Sequence, residues 1–140
     1  MGKRIDNTDC HCLKMRRSAE NIVGFYDRML APAGVTLRQY SLLSAIAEQE
    51  GCSIRELGDA TLLERSTLAR SLKPLEKEGL VEDRRAKGSR NSELYLTAKG
   101  QHICRDAAWR WKNAQQAFEE RIGAEKVAEL ESILNEMQNL

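Results

Sequence analysis

Aromatic residues make up only 5% of this 140-residue chain, and only 2 residues are proline, so few breakers interrupt long helices. No apolar run approaches the roughly 20 residues a bilayer span needs, and no membrane partner is expected. The opening "MGKRIDNTDCHC" lacks the apolar stretch of a secretory leader. After Met1 and Gly2, Asp6 occupies the place where myristoylation needs Ser or Thr. A cytoplasmic location is therefore expected, where the 4 cysteines stay reduced by default. Catalytic signatures are missing too. There is no G-x-S-x-G, no Gly-rich phosphate loop and no H-E-x-x-H, and neither histidine flanks a carboxylate pair at a useful spacing. The expectation is a chain that is not an enzyme and carries no cofactor, with no metal ligands assigned.

What is present is charge, unevenly placed. Charged residues are 31% of the chain, yet the net charge is only +1. From Arg65 to Lys99, Lys and Arg exceed Asp and Glu by four, whereas from Asn113 to Leu140 the acids exceed the bases by four. One region is suited to a polyanion and the other is not.

Periodicity organises the rest. Leu13, Ala19, Ile22, Val23, Tyr26, Met29 and Leu30 recur by three and four, predicting a helix from about Cys12 to Leu30 that "APAG" ends. Leu37, Tyr40, Leu43, Ile46 and Ala47 predict a second helix, with Thr36 as N-cap and Gly51 as stop. Ser53 and Glu56 suggest a capping box opening a third, with Ile54, Leu57 and Ala60 inward. A fourth runs from Arg65 to Glu78 with Leu68, Leu72 and Leu75 inward and Gly79 at its end; Pro74 should bend it or cost a hydrogen bond. Val81 to Arg85 and "SELYLT" read as a hairpin around "AKGSRN", with Leu94 and Leu96 inward and Tyr95 outward. Thr97 then caps a long helix carrying Ile103, Ala107, Trp111, Ala114, Phe118 and Ile122. After "GAEK", Val127, Leu130, Leu134 and Met137 form a last narrow seam. Narrow apolar seams at both ends point to paired subunits, the alternative being that they pack on one another within a monomer.

Two short helices joined by "TLLE", the second followed by a basic hairpin, make a helix-turn-helix with a wing. Arg65, Ser66, Thr67 and Arg70 occupy the start of the second helix. Short hydroxyls there approach base edges closely, and a guanidinium one turn on can fork onto guanine. Lys73 is better placed for phosphate. Arg84, Arg85, Lys87 and Arg90 follow on the wing with no acid between Arg84 and Arg90. Arginine on a slim hairpin suits the minor groove, where the potential is most negative. The bland reading of such a run is a solvated turn; combined with the helix pair and the charge split, it points to DNA.

Over nearly its whole length the chain resembles the MarR-type transcriptional regulators. The resemblance rests on "LAPAGVTLRQYSLLSAIAEQEGCSIRELGDAT", "ERSTLARSLKPLEKEGLV" and "SRNSELYLTAKG", above all on L-x-P-L-E-x-x-G-L-V followed by L-T-x-x-G. It implies a homodimer with a pocket between the dimer helices and the DNA-binding lobe, for which Tyr26, Leu30, Tyr40, Leu43 and Trp109 are candidate lining residues. Plain core packing is the alternative for each. It also implies that Arg90 is the wing arginine that enters the minor groove. The family's Asp two residues before it is Gly88 here. Asp83 or Glu93 would have to supply the missing tether.

"DCHC" places Cys10 and Cys12 around His11 near the start of the first helix, where a thiolate is favoured. Some of the family sense peroxides near this position, and others bind metals. Inert thiols, a redox pair and a metal site thus remain open, with Cys52, His102 and Cys104 elsewhere. The expected fold is mainly α with a small β-hairpin: one domain over 1–140, a winged helix-turn-helix over 36–97, and helical dimerisation regions over 10–35 and 98–140. The expected function is a sequence-specific transcriptional regulator, a repressor released by a small-molecule effector or an oxidant. A homodimer would read a pseudo-palindromic operator in double-stranded DNA. The alternative is a winged-helix protein-interaction module that binds no DNA.

Overall fold

A computed structural model describes residues 9–140 of the protein. The expectations drawn from Met1, Gly2 and Asp6 lie outside the described residues. Helix α1 (His11–Leu30) leads through a 3-10 turn (Ala31–Ala33) to α2 (Leu37–Glu48), α3 (Ile54–Thr61) and α4 (Arg65–Lys77). Strands β1 (Val81–Asp83) and β2 (Leu94–Leu96) form the wing, and α5 (Ala98–Ile122) and α6 (Ala124–Met137) complete the chain. The fold is mainly helical with one antiparallel hairpin, in the register Val81–Leu96, Glu82–Tyr95 and Asp83–Leu94.

Local chemistry explains the boundaries. Thr36 and Gln39 form a complete capping box, each side chain bonding the other's backbone N–H. Ser53 caps α3 by accepting from the Glu56 N–H at 3.1 Å. The reciprocal half expected there is not formed, because the Ser53 hydroxyl donates to the Glu56 carboxylate instead. At the far end of α4, the Leu80 N–H reaches the Leu75 carbonyl and the Gly79 N–H reaches that of Glu76. Gly79 sits at φ +73°, so this is a Schellman end that favours glycine. Pro74 lies inside α4, which runs through it without the hydrogen bond its missing N–H would have made.

The core lies beneath the helix-turn-helix, where Leu42, Leu43 and Ile46 of α2 meet Leu57, Leu68, Leu72 and Leu75, with Leu80, Leu94 and Ala107 closing it. Two inward assignments are corrected: Ala47 and Ala60 are exposed. Leu42 is buried instead, because α2 packs against α3, α5 and β2 at once and needs more than one apolar stripe. The extended pairing also stops at Asp83, two residues short of the expected Arg85.

The wing is tied down on both sides. The Gly51 N–H donates to Leu94 O and the Leu94 N–H to Cys52 O, so the segment before α3 pairs with β2. The Thr97 side chain caps α5 through the Gly100 N–H and donates its own hydroxyl proton to Gly79 O. The Thr97 N–H donates to Leu80 O. The end of α4 and the start of α5 are thereby one junction, and the two spaced motifs of the sequence are its two halves.

Leu62, in the turn between α3 and α4, adopts φ +57° and is 92% exposed. A left-handed conformation costs a branched L-residue roughly 1–2 kcal/mol, more than the roughly 0.5–1 kcal/mol entropic cost of glycine. No packing is lost on removing an exposed side chain. Leu62→Gly is therefore expected to stabilise the fold by about 0.5–1 kcal/mol, read as a higher urea midpoint at unchanged m-value.

Candidate nucleic-acid interface

Helix α4 is seated by one face and bare on the other. Leu68, Leu72 and Leu75 are at most 2% exposed. Arg65, Ser66, Arg70 and Lys73 face solvent, with Thr67 half-buried. In this state the Arg70 Nε lies 3.3 Å from Ser66 O, so the guanidinium rests along its own helix. The Ser71 hydroxyl is spent on Thr67 O at 2.8 Å.

The wing cations divide into two kinds. Arg84 pairs with Glu82 at 2.5 Å and covers the Tyr95 ring at 4.3 Å from its centroid. Arg85 pairs with Asp83, whose Oδ2 accepts from Nε at 2.7 Å. Lys87 and Arg90 have no ion pair among the described residues. Of the two acids that were candidates for the missing tether, Asp83 takes the structural role. Its Oδ1 accepts the backbone N–H groups of Arg85 and Glu93, both at 3.0 Å, and so clamps the base of the loop. It holds Arg85, not Arg90. Gly88, where the family has its acid, turns the tip at φ +87°.

Burial raises the Asp83 pKa, but the hydrogen bonds from Arg85 and from the two backbone N–H groups outweigh it, and the carboxyl lies below its ordinary value. The clamp therefore stabilises fully above the unfolded pKa of about 4 and is lost as pH falls through the lower folded pKa. Asp83→Asn is expected to cost about 1 kcal/mol near neutral pH. Urea midpoints of mutant and wild type should converge once the pH is taken below the folded carboxyl's lowered pKa.

Where the wing folds back on α3, Arg55, Arg65, Arg85 and Arg90 line one cleft of about 260 Å³ with Ser53, Asn91 and Ser92. Ser92 is 6% exposed, and its Oγ accepts the Ile54 N–H at 2.8 Å, locking the loop to the start of α3. Arg55 was not singled out from the sequence. Its only signal there is its position just after the Ser53 cap, at the start of the first helix of the pair.

The residues expected to line an effector pocket do not come together. Leu30 and Leu43 are fully buried in the core. Tyr26 is buried and donates to the Gln115 side chain. Trp109 is 61% exposed. Tyr40 does line a cavity of about 640 Å³, together with Trp111, its ring neighbour at 6.4 Å, and Ser44, Glu48 and Thr61. A neighbouring cavity of about 580 Å³ opens where α1 meets α2, lined by Val23, Asp27, Leu37, Arg38 and Ser41. Asp27 there accepts the Leu37 N–H at 2.8 Å. Trp111 and Asp27 are thus the residues that the sequence did not single out for this region.

Cys10 is half-buried at the N-cap of α1, and Cys12 is exposed. Burial pushes the Cys52 and Cys104 thiols up, away from thiolate chemistry. Among the described residues no three His, Cys, Asp or Glu gather into a metal-binding group.

A family model described as "MarR family" matches residues 33–90. The HTH-type transcriptional regulator SarZ of Staphylococcus epidermidis is 32% identical over 93 residues, which cover 66% of this chain and 63% of that protein. Among solved structures, the PcaV transcriptional regulator of Streptomyces coelicolor, in complex with its natural ligand, superposes with a TM-score of 0.82 at 24% identity. That match covers 99% of this chain and 98% of the other and concerns the fold. The M. tuberculosis transcriptional regulator MosR, in complex with DNA, matches at 29% identity and a TM-score of 0.72, over 92% and 98% of the two chains.

Proposed function

This chain belongs to the MarR family of winged helix-turn-helix proteins, and from that premise we propose that it is a homodimeric, sequence-specific DNA-binding regulator, a repressor that a small-molecule effector or an oxidant releases. The observation that carries the reading is the posture of α4. Its leucines are locked into the core while Arg65, Ser66, Arg70 and Lys73 face solvent beside an arginine-lined wing. Such a helix enters a major groove as a rigid probe, the hydroxyls and Arg70 toward base edges, Lys73 toward phosphate. Lys87, which has no ion pair among the described residues, takes the adjacent minor groove from the wing, while Arg90 lies beside Arg55 and Arg65 where the wing meets α3.

Pairing of subunits falls to the terminal helices. Helix α6 has no buried residue in the single chain, and Ile133 and Leu134 are 52% and 46% exposed. On α1, Met15, Ile22 and Val23 are likewise exposed. Apolar seams of this kind are covered by a partner helix. The two cavities flanking α2, one reaching α1 through Val23 and Asp27 and the other reaching α5 through Trp111, both touch the end of α3 and are where an effector would bias the spacing of the two α4 helices. The cytoplasm is the compartment in which such a regulator meets its DNA, and no helix among the described residues is long and apolar enough to cross a membrane.

Fluorescence anisotropy with a labelled duplex at two salt concentrations, alongside sedimentation, tests the reading. The expected result is a species of twice the 15.9 kDa chain mass whose affinity falls steeply with salt. A monomer indifferent to duplex DNA in dilute buffer overturns it.

A further inference from the structure

We propose that Arg55, Arg65, Arg85 and Arg90 form one phosphate cradle at the junction of α3, α4 and the wing, gripping a single phosphodiester of the DNA backbone, with Asp83 as the residue that positions Arg85. The proposal rests on the DNA-binding reading and adds to it a fixed backbone anchor that includes Arg55.

Four arginines from three separate segments line about 260 Å³, and no acidic residue lines that space. Like charges drawn together repel one another, and an entering anion relieves that repulsion. All four side chains are exposed, which suits a polymer running past rather than an enclosed small anion. Guanidinium forks match phosphate oxygens geometrically, and the Asn91 amide adds a neutral donor at the rim.

The cradle is built before its ligand arrives. The Ile54 N–H to Ser92 hydrogen bond and the pairing of Leu94 with Cys52 fix the wing base against α3. Arg85 spends its Nε and one terminal nitrogen on Asp83, and this orients the plane of its fork while leaving the other terminal nitrogen for the cleft. Because no loop has to be ordered on binding, the entropic cost falls on few side chains.

The test compares Arg55→Ala with Arg28→Ala, an equal loss of charge at an exposed site on α1 remote from the cleft. Binding of a labelled duplex of arbitrary sequence is followed by anisotropy across a salt series. Arg55→Ala is expected to weaken binding about tenfold at low salt and to reduce the slope of log K against log salt by about one, evenly across duplex sequences. Arg28→Ala should leave that slope at the wild-type value. Asp83→Asn should weaken binding less than Arg55→Ala, because it frees the Arg85 fork without removing it. An Arg55→Ala slope equal to that of Arg28→Ala, with wild-type protein still binding DNA, overturns the cradle alone. Wild-type protein that binds no duplex overturns the DNA reading and the cradle with it.

Discussion

Arg70→Ala is expected to bind a selected operator about 5- to 150-fold more weakly than wild type while retaining most of its affinity for unrelated duplex. The asymmetry follows from where the residue sits. It lies on the solvent face of α4, one turn beyond Ser66, and in the free protein its Nε is parked on the Ser66 carbonyl. Both terminal nitrogens remain for the O6 and N7 atoms of a guanine, and a bidentate pair of this kind discriminates by about 1–3 kcal/mol. Helix stability is not at risk, since alanine is the better helix former and the side chain supports no core contact. An operator drawn from randomised duplexes, titrated against both proteins beside a scrambled sequence, gives the answer. Equal affinity of mutant and wild type for both duplexes removes Arg70 from the recognition set. A uniform loss on both would move it to the class of Lys73, a contact to phosphate.

Much of this architecture is legible in the sequence because its signals are local. The Leu68, Leu72 and Leu75 spacing, the Thr36 and Thr97 caps and the Gly79 end each depend on residues within one or two turns. Helix α2 is harder. It is central, buried on several sides, and a single-stripe reading leaves out Leu42 and wrongly admits Ala47. The wing holds a further local signal. Residues two apart on a strand share a face, so Glu82 with Arg84 and Asp83 with Arg85 are pairs that alternation alone suggests. Arg55 is different, because nothing near it in sequence announces the cleft. The wing returns to α3 only through the Ser92 and Leu94 contacts, more than thirty residues away along the chain. Trp109 and Trp111 differ for a similar reason. Both lie on α5, yet Trp111 meets Tyr40 at a cavity while Trp109 projects to solvent, stacked under Arg110.

The most damaging single change expected in the fold is Gly100→Ala. An added Cβ at Gly100 would lie 2.0 Å from Leu80 O and 2.9 Å from its carbonyl carbon. Those are backbone atoms, so no side-chain rotation relieves the overlap. The same carbonyl accepts the Thr97 N–H at 3.0 Å, and the helix start and the α4 end must separate together. Alanine recovers about 1 kcal/mol of helix propensity, whereas forced overpacking costs about 1–3 kcal/mol and more where backbone must move. With the Thr97 junction bonds also strained, the net loss is expected at about 3 kcal/mol, or roughly 10 °C in melting temperature for a chain of this size. Circular dichroism melts check it, and a mutant melting within a degree or two of wild type would show that α5 can slide past Leu80 freely. The consequence for function runs through the same contact. The carbonyl of Leu80 immediately precedes β1, so moving α5 away displaces the root of the wing relative to α4. Gly100→Ala protein that still folds at low temperature should therefore bind duplex more weakly with every arginine intact, separating the loss of a charge from the loss of the frame that aims it.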